Sequence, residues 1–261
     1  MINTYGELVT LKDEKGLPRQ KRAGRCVGEI LKLCEYTIAS KPQNLSLRDL
    51  EQLAIDHINK SGCLPTFLGY KGFPSAICTS VNNQVVHGIV TDYVLKEGDI
   101  VSIDLGATYE GAIADAASTF VYGDYPSNDV MIMVNKCRKA LYVAIEAVKV
   151  GAHIGAIGNA IHKFTKDSGF GVITKYGGHG IDYNTPHAAP FVANRADKNS
   201  GIRIQPGLAI AIEPMLVLSG NTRTTILDDK WTVMTEALSC HFEHSVFVES
   251  EDKIHVITEI E

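Results

Sequence analysis

The chain has no CxxC pair, no apolar run approaching about 18 residues, and neither GxGxxG nor GxxxxGK[ST], the glycine patterns that cradle nucleotide phosphates. Each absence removes a class of protein. Unpaired in spacing, Cys26, Cys34, Cys63, Cys78, Cys137 and Cys240 frame neither a zinc ribbon nor a disulfide scaffold, and they suit a reducing compartment. The opening MINTYGELVTLKDEKG lacks the apolar core of a leader, so a cytoplasmic, membrane-free protein is expected. A formal charge of −5 gives little electrostatic reason for specific nucleic-acid binding. The basic cluster RQKRAGR at 19–25 reads as a solvated helix face, with contact to ribosomal RNA as the lesser reading.

Positive charge is also missing where acids most need it. No lysine or arginine falls between Ile100 and Tyr125, yet this stretch places Asp104 in IVSIDLG and Asp115 in GAIADAAST, both inside apolar strand patterns. A carboxylate buried without a partner protonates or finds a cation. A hairpin turning near Tyr109-Glu110-Gly111 through an even-numbered loop puts the two aspartates on one sheet face, opposite or diagonal. His179 in YGGHGI, Glu213 in LAIAIEPML and Glu243 in CHFEHSVFV supply further donors. Each acid alone reads more simply as a solvated strand residue. Together, four carboxylates and one imidazole carry too much negative charge for one divalent ion and suit two, and a thiolate-free set favours cobalt, manganese, iron or zinc. Such a pair of ions activates water for attack on an acyl carbon.

Helical spacing recurs near 19–40 and again from Leu47 to Ile58, where Ser46 and Asp49 form a capping-box pattern. A β-rich region follows from about Ala76 to Val121. Beyond Pro126-Ser127-Asn128 the order returns: a helix near 129–150 before Gly151, another near 154–168 before Gly169, then β-rich sequence to Ile257. This repetition predicts an α+β fold of two pseudo-symmetric helix-helix-strands halves. No linker separates them, so residues 1–261 are read as a single domain. His57 and His162, inside helical patterns, are read as surface or satisfied core residues. Gly177, Gly178 and Gly180 are expected to permit close backbone approach around His179.

The order Asp, Asp, His, Glu, Glu with the words IDLG, GHG, IEPM and FEH resembles the type I methionine aminopeptidases. The likeness runs from the helix around Ala23 through SVNNQVVHGI, GDIVSIDLG, GGHGI, QPGLAIAIEPM and Trp231 to FEHSVFV. It implies the pita-bread fold shared with aminopeptidase P, prolidase and creatinase. It also implies two divalent ions held by Asp104, Asp115, His179, Glu213 and Glu243, with Asp115 and Glu243 bridging and Glu213 handling the proton of the attacking water. By the same resemblance His87 contacts the scissile amide nitrogen and His187 polarises the carbonyl. Phe67, Tyr70, Phe73, Cys78 and Trp231 match positions for a methionine pocket, although without the resemblance plain core packing is the favoured reading of such aromatics. The chain departs from the family in GHGIDYNTPHAAP, where one residue is inserted, Pro186 takes the usual aromatic position and Ala188 replaces a glutamate. Val90 replaces a proline, an exchange expected to loosen the loop after His87.

The implied substrates are N-terminal peptides, including ribosome-associated nascent chains, for a monomeric enzyme. Two other readings compete. An X-Pro aminopeptidase or prolidase uses the same ligands, but with an extra N-terminal domain that 261 residues do not accommodate. A catalytically dead binding module of the same fold generally loses ligands, whereas all five stand here.

Overall fold

The structure, a computed structural model, describes residues 8–13 and 15–260; residues 1–7 and 14 of the segment read above as lacking a leader core lie outside them. Four helices carry the expected order: α1 (Gly16–Ala39), α2 (Leu47–Lys60), α3 (Asn128–Glu146) and α4 (Gly155–Thr165). The α2 capping box forms, Ser46 Oγ accepting from the Asp49 amide while the Ser46 amide donates to Asp49 Oδ2 at 2.8 Å. Ser127 Oγ accepts from the Val130 amide to start α3. That helix stops short of the predicted 150, because Ala147 and Val148 donate to carbonyls three residues back and Gly151, at φ 84°, turns the chain away. No described helix is long and apolar enough to cross a membrane.

The first half's sheet is built on a hairpin of Ile100–Tyr109 and Ala112–Val121, joined by Glu110 and Gly111 at φ 47° and 79°. Two consecutive positive φ angles define the two-residue turn whose twist matches paired strands. Alternation then sorts the side chains. Ile103, Leu105, Ala107, Ala114 and Ala116 face the core under α1 and α2, so Asp104 and Asp115 face away from it. The second half centres on a five-stranded sheet in the order Lys253–Val256, His244–Ser250, Ala209–Ile212, Gly178–Asp182, Thr185–Val192. Its strands alternate between two cores: Ala209, Ala211 and Phe247 join the core under α1, while Ile210, Ile212, Val246 and Val248 join the core under α3 and α4.

Backbone contact stitches the halves together. Ala117 and Glu243 pair across them, Ser245 Oγ donates to Asp115 O at 2.6 Å and accepts from the Asp115 amide, and Thr119 Oγ1 donates to His241 O. The seam therefore runs through the residues singled out as acids and their neighbours. At Gly24 of α1, an added Cβ would lie 2.0 Å from the Ile257 carbonyl oxygen, so only glycine lets the helix rest on the C-terminal segment.

Candidate metal centre

Hairpin register fixes the two aspartates. Asp104 pairs with Ala117 and Asp115 with Gly106, which makes the acids diagonal neighbours on one face. Glu243 arrives from across the seam, and Glu213 follows directly on the Ala209–Ile212 strand. His179 lies in the Gly178–Asp182 strand, hemmed by glycines as expected: a Cβ on Gly178 would stand 2.2 Å from the Ala211 oxygen, and one on Gly180 would stand 1.9 Å from the Ala189 oxygen.

All five side chains converge. His179 Nε2 lies 3.7 Å from Glu213 Oε1 and 3.9 Å from both Asp115 Oδ2 and Glu243 Oε1. These separations are too long for hydrogen bonds and fit donor atoms bound at about 2.0–2.2 Å around a common cation. Asp104, Asp115 and Glu243 offer oxygens within 4.8 Å of one another, as do the donors of His179, Glu213 and Glu243. Asp104 Oδ1, Asp115 Oδ1 and Glu243 Oε1 are shut from solvent without any hydrogen-bond partner. Burial, then the neighbouring Asp115 charge, raises the pKa of Asp104 and of Glu243 well above the carboxylate range, and burial lifts Asp115 to about 6 against the pull of His179. Such a cluster suits a divalent cation, which would satisfy the orphaned oxygens and hold the acids ionised.

Glu213 behaves differently. Burial pushes its pKa up, but His241, with Nε2 3.3 Å from Glu213 Oε2, together with His179 more than offsets this. His241 also stands 3.9 Å from Glu243 and is buried, while His244, on the opposite parity, turns away to bond Thr258 Oγ1 at 2.8 Å. Asn194, which no sequence pattern singled out, is fully buried and donates through Nδ2 to the Glu213 carbonyl at 3.0 Å. Its nineteen-residue separation from Glu213 leaves no local signal to read.

Beside the acids is a cavity of about 200 Å³ lined by Phe67, Tyr70, Lys71, Phe73, Cys78, His87, Asp104, His187 and Trp231. Every residue read as pocket wall is present, and Lys71 is an addition. Phe73 packs edge-on against Trp231 at 5.2 Å and against Phe67 at 6.5 Å. His187 contacts Tyr70 at 5.4 Å and His179 at 4.5 Å between ring centroids. Desolvation of its inner face, then the adjacent His179, lowers the His187 pKa and keeps the ring neutral. His87 occupies the left-handed region at φ 58°, and burial lowers its pKa too. Register slips by one residue between Gly180 and Asp182, so a bulge absorbs the extra residue. The expectation that Val90 loosens its loop is overturned: Val90 is buried, and its amide, which a proline would lack, donates to Ser75 Oγ at 3.2 Å.

Two helix-helix-strands halves closing on a shared cluster of buried carboxylates and an imidazole define a metallohydrolase of the pita-bread type. Comparison with known proteins narrows this. Residues 19–250 match metallopeptidase family M24. A methionine aminopeptidase of Mycoplasma capricolum is 38% identical over 258 residues, covering 97% of this chain and 100% of its own. The crystal structure of a methionine aminopeptidase from Thermotoga maritima superposes with a TM-score of 0.90 at 32% identity, covering 97% of this chain and 100% of that one. An Xaa-Pro dipeptidase of Bacillus anthracis shares the fold, with a TM-score of 0.72 at 20% identity over 96% of this chain and 62% of its own. The chain belongs to metallopeptidase family M24 and, within it, to the methionine aminopeptidases.

Proposed function

We propose that this protein is a type I methionyl aminopeptidase that removes the N-terminal methionine from peptides and nascent chains whose second residue is small. The observation that carries the reading is the buried meeting of five donor side chains against the wall of an aromatic cavity. Asp104 would hold one ion, His179 and Glu213 would hold the other, and Asp115 and Glu243 would serve both. Asp115 and Glu243 each stand in two of the three groups of neighbouring donors, which supports this division. Two divalent ions, of cobalt, manganese, iron or zinc, would supply there a water nucleophile at neutral pH and a Lewis acid for the scissile carbonyl.

The protein's own groups do the remaining work. Glu213, kept ionised by His241, accepts the proton of the attacking water and passes it toward the leaving amine. His187, neutral at the cavity mouth, donates to the developing oxyanion. His87 meets the scissile amide nitrogen, and Phe67, Tyr70, Phe73, Cys78 and Trp231 enclose the methionine side chain. In this reading residues 1–261 act as one monomeric catalytic domain in the cytoplasm, on chains emerging from the ribosome.

Metal analysis combined with hydrolysis of Met-Ala-Ser and Ala-Pro-Ala tests the assignment. Two equivalents of divalent metal and release of methionine from Met-Ala-Ser alone are expected. Preferential cleavage of Ala-Pro-Ala would place the chain with the X-Pro enzymes, and metal without either cleavage would make it a binding module.

A further inference from the structure

One charged side chain on the cavity wall has no part in the chemistry described above. Lys71 is exposed, whereas Phe67, Phe73 and Cys78 on the same wall are buried, which sets its amine at the open rim and not at the methionine end. That amine stands 5.3 Å from the centre of the Tyr70 ring, and the His187 ring stands 5.4 Å from the same centre. Tyr70 thus spaces an ammonium from the imidazole that meets the scissile carbonyl. Among the described residues no carboxylate pairs with Lys71. Asp104, the acid on the same wall, is buried with the metal donors.

The backbone holds this lysine in a conformation that glycine would take more easily. Lys71 has φ 49° and ψ 24°, in a turn where Gly69 and Gly72 also have positive φ, at 80° and 86°. Hydrogen bonds within the turn fix it: the Gly69 amide donates to Phe73 O and the Phe73 amide to Tyr70 O, each at 2.9 Å, and the Gly72 amide donates to Gly69 O at 3.1 Å. Strain of this kind gathers at functional sites, where use of the side chain offsets it.

We infer that Lys71 is a specificity-determining residue that binds a substrate carboxylate beyond the scissile bond, that of an acidic side chain at the third position. The inference rests on the aminopeptidase reading given above. With the methionine side chain in the cavity and its carbonyl against His187, the part of the substrate that approaches the rim is the chain after the cleaved bond. An extended chain advances about 3.3–3.6 Å per residue. The second residue is small on that reading, and its side chain falls short of an amine on the far side of the Tyr70 ring. The third residue is the first whose carboxylate spans the distance. A lysine ammonium is a point charge on a flexible stem, so aspartate and glutamate both suit it. The pair forms before and during reaction alike, and it therefore lowers KM and leaves kcat in place.

The test measures kcat and KM of the metal-loaded full chain on the C-terminal amides of Met-Ala-Asp, Met-Ala-Glu, Met-Ala-Asn and Met-Ala-Lys. Amidation removes the free C-terminal carboxylate, the other source of the same charge, and the free acid of Met-Ala-Asn measures that source separately. The two acidic amides are expected to exceed Met-Ala-Asn amide in kcat/KM by about three- to fivefold, the range of an exposed ion pair, with the gain in KM and its loss on adding salt. Lys71→Met should bring the ratio to one, Lys71→Arg should keep it, and Lys71→Glu should turn the preference to Met-Ala-Lys amide. Equal values in the parent protein, or a preference that survives Lys71→Met, overturn the role of Lys71. A gain with the free acid of Met-Ala-Asn and none with the acidic amides overturns the third-position assignment. Cleavage of none of these peptides sinks the aminopeptidase reading itself, whereas cleavage without discrimination sinks the Lys71 role alone. Each ratio is internal to one preparation, and the parent and salt measurements stand whether or not a variant folds.

Discussion

His241 Nε2 lies 3.3 Å from Glu213 Oε2 and is buried, whereas His187 stands on the cavity wall against the His179 ring. The two imidazoles thus answer to different tests.

His187→Ala is expected to lower kcat by about 10²–10³, the scale of one lost oxyanion donor, with bound metal unchanged. A loss below tenfold, together with a much larger loss in His241→Ala, moves the role to His241. The His241 variant should instead shift the pH profile. His241 holds the Glu213 carboxyl below its ordinary value, so removing it raises that pKa, and the acid limb of the kcat/KM profile should move to higher pH.

Asp104→Asn, Asp115→Asn and Glu243→Ala should each abolish turnover while far-UV circular dichroism stays that of the parent. Loss of a direct ligand should exceed the roughly 10–100-fold effect of losing an outer partner. Full activity in metal-replete Asp115→Asn sinks the two-ion assignment.

Metal-free protein should lose stability as pH rises. Asp104, Asp115 and Glu243 all have folded pKa values above their unfolded ones, so the stability they contribute is complete below about 4 and is lost on the way up, through about 6 for Asp115. Divalent metal restores it by binding the ionised forms. The rise in Tm on adding manganese, compared with chelator, should therefore be larger at pH 7.5 than at pH 5, and an equal rise at both would contradict this sign.

The cavity of about 200 Å³ ends against Asp104 and His187, with Lys71 also on its wall. Little room is left beyond the methionine, and a basic second residue would meet the Lys71 charge. Met-Ala peptides should surpass Met-Lys peptides in kcat/KM, by about tenfold or more if about 1.4 kcal/mol separates their transition states. Comparable values would refute the closed geometry.

Gly180→Ala would place a Cβ 1.9 Å from the Ala189 oxygen, in the strand that carries His179. Overpacking of this kind costs about 1–3 kcal/mol, and urea titration should show it together with weaker metal retention. An unchanged midpoint would mean that the strand pair yields without strain.

Much of this site was legible in the chain. The hairpin parity of Asp104 and Asp115, the Ser46–Asp49 box and the opposite facing of His244 all follow from periods of two or three to four residues that local sequence displays. The seam was not legible. Ser245 holds Asp115 and Thr119 holds His241 across separations of 130 and 122 residues, and a serine or threonine in a strand gives no sign of so distant a partner. Helix ends also escaped, because α3 closes on backbone bonds that any sequence can make until Gly151 turns the chain.

His87, at φ 58°, holds a conformation that glycine or asparagine would take more comfortably. Replacing it with glycine relaxes the backbone and removes the imidazole in a single step. Selection for heat resistance alone would thus push this position toward loss of chemistry, and a histidine persists there only while turnover itself is under selection.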